Sequence, residues 1–77
     1  MELRHLRTIV AVERHRSFTR AAEELHLAQS AISQHVRRLE QELGVDVFRR
    51  NSRSVDLTPE GRLVLADVLW YVAKKFK

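Results

Sequence analysis

The chain has 77 residues, one domain at most, and a domain this short buries only about 60–65% of its unfolded surface, so packing surface from a partner matters. It has no cysteine, which excludes a disulfide framework and a thiolate metal site, and its charged start, Met1-Glu2-Leu3-Arg4-His5, leads into no apolar run, which excludes a signal peptide or a membrane span. Fourteen Lys and Arg against ten Asp and Glu leave a net charge of +4, mostly as Arg, and the cluster Arg49, Arg50 and Arg53 contains no acid. A lone surface Arg serves solubility, whereas a cluster of planar, bidentate donors points to a polyanion.

From Leu3 to His15, apolar residues recur at Leu3, Leu6, Ile9 and Val10, with Val12 beside them and Arg4, Arg7 and Glu13 off the stripe. The spacing predicts an amphipathic helix. His15-Arg16-Ser17 interrupts it, and Ser17 suits the cap of the next helix. There Phe18, Ala21, Ala22 and Leu25 stand at i, i+3, i+4 and i+7, and the paired alanines let another helix cross at close range. After His26-Leu27-Ala28 a third helix is predicted over 29–43, with Ile32, Val36, Leu39 and Leu43 as its buried stripe. Gly44 suits a left-handed terminator, with Val45 in contact beyond it.

Val47–Arg49 and Val55–Leu57 read as two short strands around the polar turn 50–54, a hairpin that must lean on the helices. Thr58, Pro59 and Glu60 open a last helix as cap, first helical residue and first-turn acid. Along it Leu65, Leu69, Val72 and Phe76 form a heptad-like seam, and Leu63, Ala66, Trp70 and Ala73 a second stripe. One apolar face packs on the domain and the other is left for a second copy, so the seam Leu65, Leu69, Val72 and Phe76 is the expected homodimer contact. The run Lys74-Lys75-Phe76-Lys77 has no capping residue and reads as the middle of a helix in a longer protein.

Two helices joined by a three-residue break, the first with paired alanines, have the form of a helix-turn-helix. Leu27 is expected to anchor the turn, and Ile32 and Val36 to hold the second helix with its outer face free. That face starts with Gln29, Ser30, Ser33 and Gln34, which donate and accept as base edges require, and continues with Arg37 and Arg38, placed for the flanking backbone. An ordinary solvated helix face would look the same in isolation. Coupled to the alanine pair, the turn and the Arg-rich hairpin, DNA reading is the better account.

The runs Phe18-Thr-Arg-Ala-Ala-Glu-Glu-Leu25, Gln29-Ser-Ala-Ile-Ser33, Arg38-Leu-Glu40, Leu43-Gly44 and Leu57-Thr-Pro-Glu-Gly61 resemble the N-terminal domain of LysR-type transcriptional regulators, without a gap from Met1 to about Arg62. The resemblance implies a mainly α, winged helix-turn-helix over 1–58 and a linker and dimerisation helix over 59–77. It further implies an effector-binding domain outside this chain, served by a small-molecule effector, and no cofactor within this domain. It makes Gln29 and Ser33 the leading base contacts, with Ser30 and Gln34 near them. Thr19 and Arg20 are implied on the DNA backbone, as is Arg50 at the wing (49–54), and Arg53 in the minor groove, where arginine reads narrow A·T-rich shape. The implied partner is double-stranded promoter or operator DNA, bound by a homodimer or tetramer in the cytoplasm, at the nucleoid. Two positions depart from the family pattern: His35 stands where Gln is usual, and Ile9 where Phe is usual.

Other signals are weaker. His5, His15, His26 and His35 include no i, i+4 pair, so no metal site is expected, and no strand–turn–helix elbow presents a nucleophile, so no enzyme is expected. Trp70 falls on an apolar stripe and suits an interface better than base stacking. The alternative function is a protein-interaction module, against which Arg50 and Arg53 on the wing speak.

Overall fold

Apolar spacing decides where the helices lie. A computed structural model describes the backbone of residues 3–50 and 55–75 and the side chains of all of these except Arg50 and Val72. Arg53 and Phe76 lie outside the described residues. The elements are α1 (Leu3–His15), α2 (Phe18–Leu25), α3 (Gln29–Leu43), β1 (Phe48–Arg50), β2 (Val55–Leu57) and α4 (Pro59–Lys75). α1, α2 and α3 keep their predicted limits, and α4 starts at Pro59 as predicted, with the last two residues of its predicted range, 76 and 77, outside the described residues. β1 lies one residue further along than predicted, taking Arg50 from the predicted turn into the ladder opposite Val55, while Val47 gives its N–H to the Glu40 carboxylate at 2.8 Å and its carbonyl to the Thr58 N–H at 3.0 Å.

α1, α2 and α3 pack on one another around Ile9, Val12, Ala21, Ile32, Val36 and Leu39, all but fully buried. Because α1 also meets β2 and α4, it buries His5, Leu6, Thr8, Ile9, Ala11 and Val12, a broader face than the predicted stripe, and Val10 stays half-buried. Ala21 is fully enclosed and Ala22 nearly so, as a close helix crossing requires.

The turn between α2 and α3 is held by backbone, not by Leu27, which is exposed rather than anchored. His26 adopts left-handed φ 56° and ψ 43°, its N–H reaches Glu23 O, and the Leu27 N–H reaches Ala22 O at 3.0 Å. This pair of bonds closes the last turn of α2. Gly44, at φ 73°, closes α3 through its N–H to Glu40 O at 2.9 Å. Leu43, predicted to be buried, is also exposed, because it sits at the open end of α3 beside α4.

The wing is antiparallel, pairing Phe48 with Leu57, Arg49 with Asp56 and Arg50 with Val55. Phe48 fastens it to the helices, its ring edge-on to Phe18 at 6.5 Å. Thr58 caps α4 as predicted: its hydroxyl accepts from the Gly61 N–H at 2.9 Å and donates to Asp46 O, while its own N–H reaches Val47 O at 3.0 Å. Gly61 follows from this crowding, since a Cβ there would lie 2.0 Å from Val47 O.

α4 turns Leu65 and Val68 inward and leaves Leu63, Leu69, Trp70 and Tyr71 exposed. The predicted seam therefore divides. Leu65 belongs to the domain's own core and is unavailable to a partner, Leu69 faces outward, and the side chains of Val72 and Phe76 lie outside those described. Among the described residues no helix is long and apolar enough to cross a membrane.

Candidate nucleic-acid interface

The start of α2 and the start of α3 are capped differently. Ser17 Oγ accepts from the Arg20 N–H at 3.1 Å and closes the first turn of α2. Ala28, in the same position before α3, makes no side-chain cap. The first N–H groups of α3 are thus not served by a capping side chain, which leaves them and the helix dipole available to an anion.

Gln29, Ser30, Gln34, Arg37 and Arg38 are all exposed along α3, and Ser33 is half-buried between them. Ile32, Val36 and Leu39 on the opposite side are sealed in the core, so this outer face is presented by a fixed helix. Thr19 and Arg20 are exposed at the start of α2. Thr19 Oγ1 donates to Gln29 Oε1 at 3.3 Å, which joins two predicted contact residues from separate helices. The second lone pair of that oxygen and the amide NH2 remain for an adenine edge, which needs one acceptor and one donor side by side.

Arg20, Arg37 and Arg49 are exposed and make no ion pair among the described residues. Arg38 Nε lies 3.7 Å from Glu42 Oε1, a surface pair of the weak, screened kind. At the wing, β1 brings the Arg50 backbone to the ladder's end, and its side chain, like Arg53, is outside the description. Glu40 was not singled out by sequence. Its Oε2 accepts from the Val47 and Phe48 N–H groups at 2.8 and 3.2 Å, so a carboxylate on α3 positions the entry to the wing. Also missed was the His5–His35 contact, with ring centroids 4.5 Å apart across α1 and α3. No group of three or more metal-ligating side chains occurs among the described residues.

A family model described as "Bacterial regulatory helix-turn-helix protein, lysR family" matches residues 3–62. The chain belongs to that family. It is a family of regulators rather than of enzymes. A RuBisCO operon transcriptional regulator of Allochromatium vinosum is 55% identical over 64 residues, 83% of this chain and 21% of the relative. The HTH-type transcriptional regulator BudR of Klebsiella aerogenes is 51% identical over 67 residues, 87% of this chain and 47% of the relative. The chain thus spans less than half the length of these relatives.

Two solved structures share the LysR-family fold closely. The CbnR DNA-binding domain in its DNA complex superposes with a TM-score of 0.93 at 32% identity, covering 97% of this chain and 86% of that one. The BenM DNA-binding domain bound to benA site 1 DNA gives 0.91 at 43% identity, covering 96% and 83%.

Proposed function

We propose that this chain is the DNA-reading unit of a bacterial transcriptional regulator, binding duplex DNA sequence-specifically with α3 in the major groove and the wing at the minor groove. The observation that carries the reading is the start of α3: an uncapped helix end whose first side chain, Gln29, is fixed by Thr19 with donor and acceptor positions to spare. Gln29, Ser30, Ser33 and Gln34 take the base edges. Arg20, Arg37, Arg38 and Arg50 take the backbone, joined by Thr19 through its main-chain N–H because its one hydroxyl proton goes to Gln29 Oε1, and Arg53 takes the minor groove. That the similar BenM and CbnR DNA-binding domains are each found in complex with DNA supports duplex binding.

The reading extends to a homodimer through α4, placing two recognition helices about one DNA turn, ~34 Å, apart. Its support is the outward set Leu63, Leu69, Trp70 and Tyr71, with an apolar groove of about 550 Å³ beside it, walled by Leu3, Leu43, Val64 and Val68. Signals reach the DNA from a small-molecule effector held elsewhere in the longer protein, acting in the cytoplasm.

The test is selection of bound duplexes from a random pool, followed by gel shift of the winners. A palindromic consensus whose affinity falls steeply with salt is the expected result. Absence of duplex binding at low salt refutes the reading. Sedimentation at high protein concentration tests the dimer, and a strict monomer would remove it for this chain.

A further inference from the structure

A cleft of about 460 Å³ opens between the N-terminal part of α1 and the middle of α3. Arg4 and His5 enter it from α1, and Gln34, His35, Arg37 and Arg38 from α3. Every charged side chain that lines it is basic. Arg4, Arg37 and Arg38 are exposed, whereas His5 is buried, so the cleft has a polar floor beneath a cationic rim.

The floor is tied together. Thr8, fully buried, donates its hydroxyl to Arg4 O at 3.0 Å, and His35 Nδ1 lies 2.9 Å from the same oxygen. With its one proton given to Arg4 O, the hydroxyl accepts from His35 Nδ1–H. The His35 ring then packs on His5, with centroids 4.5 Å apart. These contacts fix the backbone of Arg4 against α3, so the rim arginines of two helices keep one spacing. Buried polar groups at a helix crossing are costly compared with apolar ones, and here they build one side of a basic cleft.

We propose that this cleft seats one phosphodiester of the duplex backbone, with Arg4 supplying a cation from α1 beside Arg37 and Arg38. The inference rests on the duplex-binding reading above and adds α1 to the surface that touches DNA. Gln34 lines the cleft and also belongs to the outer face of α3, so the seat adjoins the bases that face reads. A phosphate among guanidinium groups in a recess gains charge-assisted hydrogen bonds that a flat surface does not concentrate. The Arg38–Glu42 pair, solvent-screened and at 3.7 Å, yields to such a phosphate.

The test compares Arg4→Gln with Arg14→Gln, which removes the same charge at the other end of α1. Because Thr8 bonds the Arg4 carbonyl and not its side chain, the substitution leaves that link in place. Affinity for a short mixed-sequence duplex is read by fluorescence anisotropy between about 50 and 200 mM salt. Arg4→Gln is expected to lower the log–log salt slope by about 1, Arg14→Gln to leave it, and Arg4→Lys to restore it. Duplexes carrying one neutral methylphosphonate at successive positions then locate the contact: one position per half-site weakens the wild type but not Arg4→Gln. An unchanged slope in Arg4→Gln, or an effect spread evenly over all phosphates, overturns the seat while leaving duplex binding intact. Failure of the wild type itself to bind duplex at low salt removes both.

Discussion

Gly61→Ala tests whether α4 and the wing meet as tightly as the geometry requires. In a helix interior the change would ordinarily stabilise by about 1 kcal/mol, because alanine is the better helix former. Here the new methyl would lie 2.0 Å from Val47 O, 2.9 Å from Val47 C and 3.1 Å from Thr58 Oγ1. The first two are backbone atoms and cannot rotate away. Relief requires α4 to move off β1, which strains the 2.9 Å Gly61 N–H cap on Thr58 and the 3.0 Å Thr58 N–H bond to Val47 O. Overpacking costs about 1–3 kcal/mol and loss of an N-cap about 1 kcal/mol more. The helix gain offsets only part, leaving a net loss of about 1–3 kcal/mol. In a domain of this size that lowers the thermal midpoint by about 5–20 °C. Circular dichroism melts at one fixed protein concentration measure it, since association would shift the midpoint by mass action. A midpoint equal to the wild type's or higher refutes the close contact.

Ile32→Ala removes a fully enclosed side chain where α3 meets the core and is expected to cost about 2–4 kcal/mol in urea unfolding. Glu40→Gln keeps the shape but removes the charge that receives two wing N–H groups, for an expected loss of about 1–2 kcal/mol in the same assay; no change would mean the carboxylate does not hold the wing. Thr19→Val deletes the hydroxyl that holds Gln29 and should leave the melting midpoint unchanged. Discrimination at one base position should drop by about 1 kcal/mol, read by competition gel shift against single-base variants of the selected site.

Helix limits were legible because each depends on neighbours a few residues away: Ser17, Gly44, Thr58 and Pro59 act on their own turns. Which neighbour covers a stripe is a long-range fact, and there the reading slipped. Leu65 and Leu69 share a heptad-like seam in sequence, yet α4 packs with Leu65 against the core and Leu69 outward. Leu27 looked like an anchor because it is apolar, while the turn's hold lies in the backbone of His26 and Leu27. An apolar template also hides buried polar residues. His5, Thr8, Ile9 and Val12 stand at i, i+3, i+4 and i+7, as do Ile32, His35, Val36 and Leu39, so the helical period alone could have placed both imidazoles inward. The outer face of α3, Gln29 to Arg38, was legible as the complement of the buried stripe.

Glu40, Thr58 and Gly61 explain why a hairpin of two three-residue strands holds a fixed place. Such a ribbon is marginal by itself. Here α3 takes the N–H groups of Val47 and Phe48 through one carboxylate, and α4 reaches Asp46 and Val47 through one threonine. The two helices thus grip successive peptide units immediately before the first strand. The distance from the outer face of α3 to the wing is therefore set by Glu40 and Thr58, independently of the side chains that α3 turns outward. Substitutions at Gln29, Ser33 or Gln34 can then change which bases are read without moving the wing. A substitution at Glu40 touches no base and should weaken every site to a similar degree.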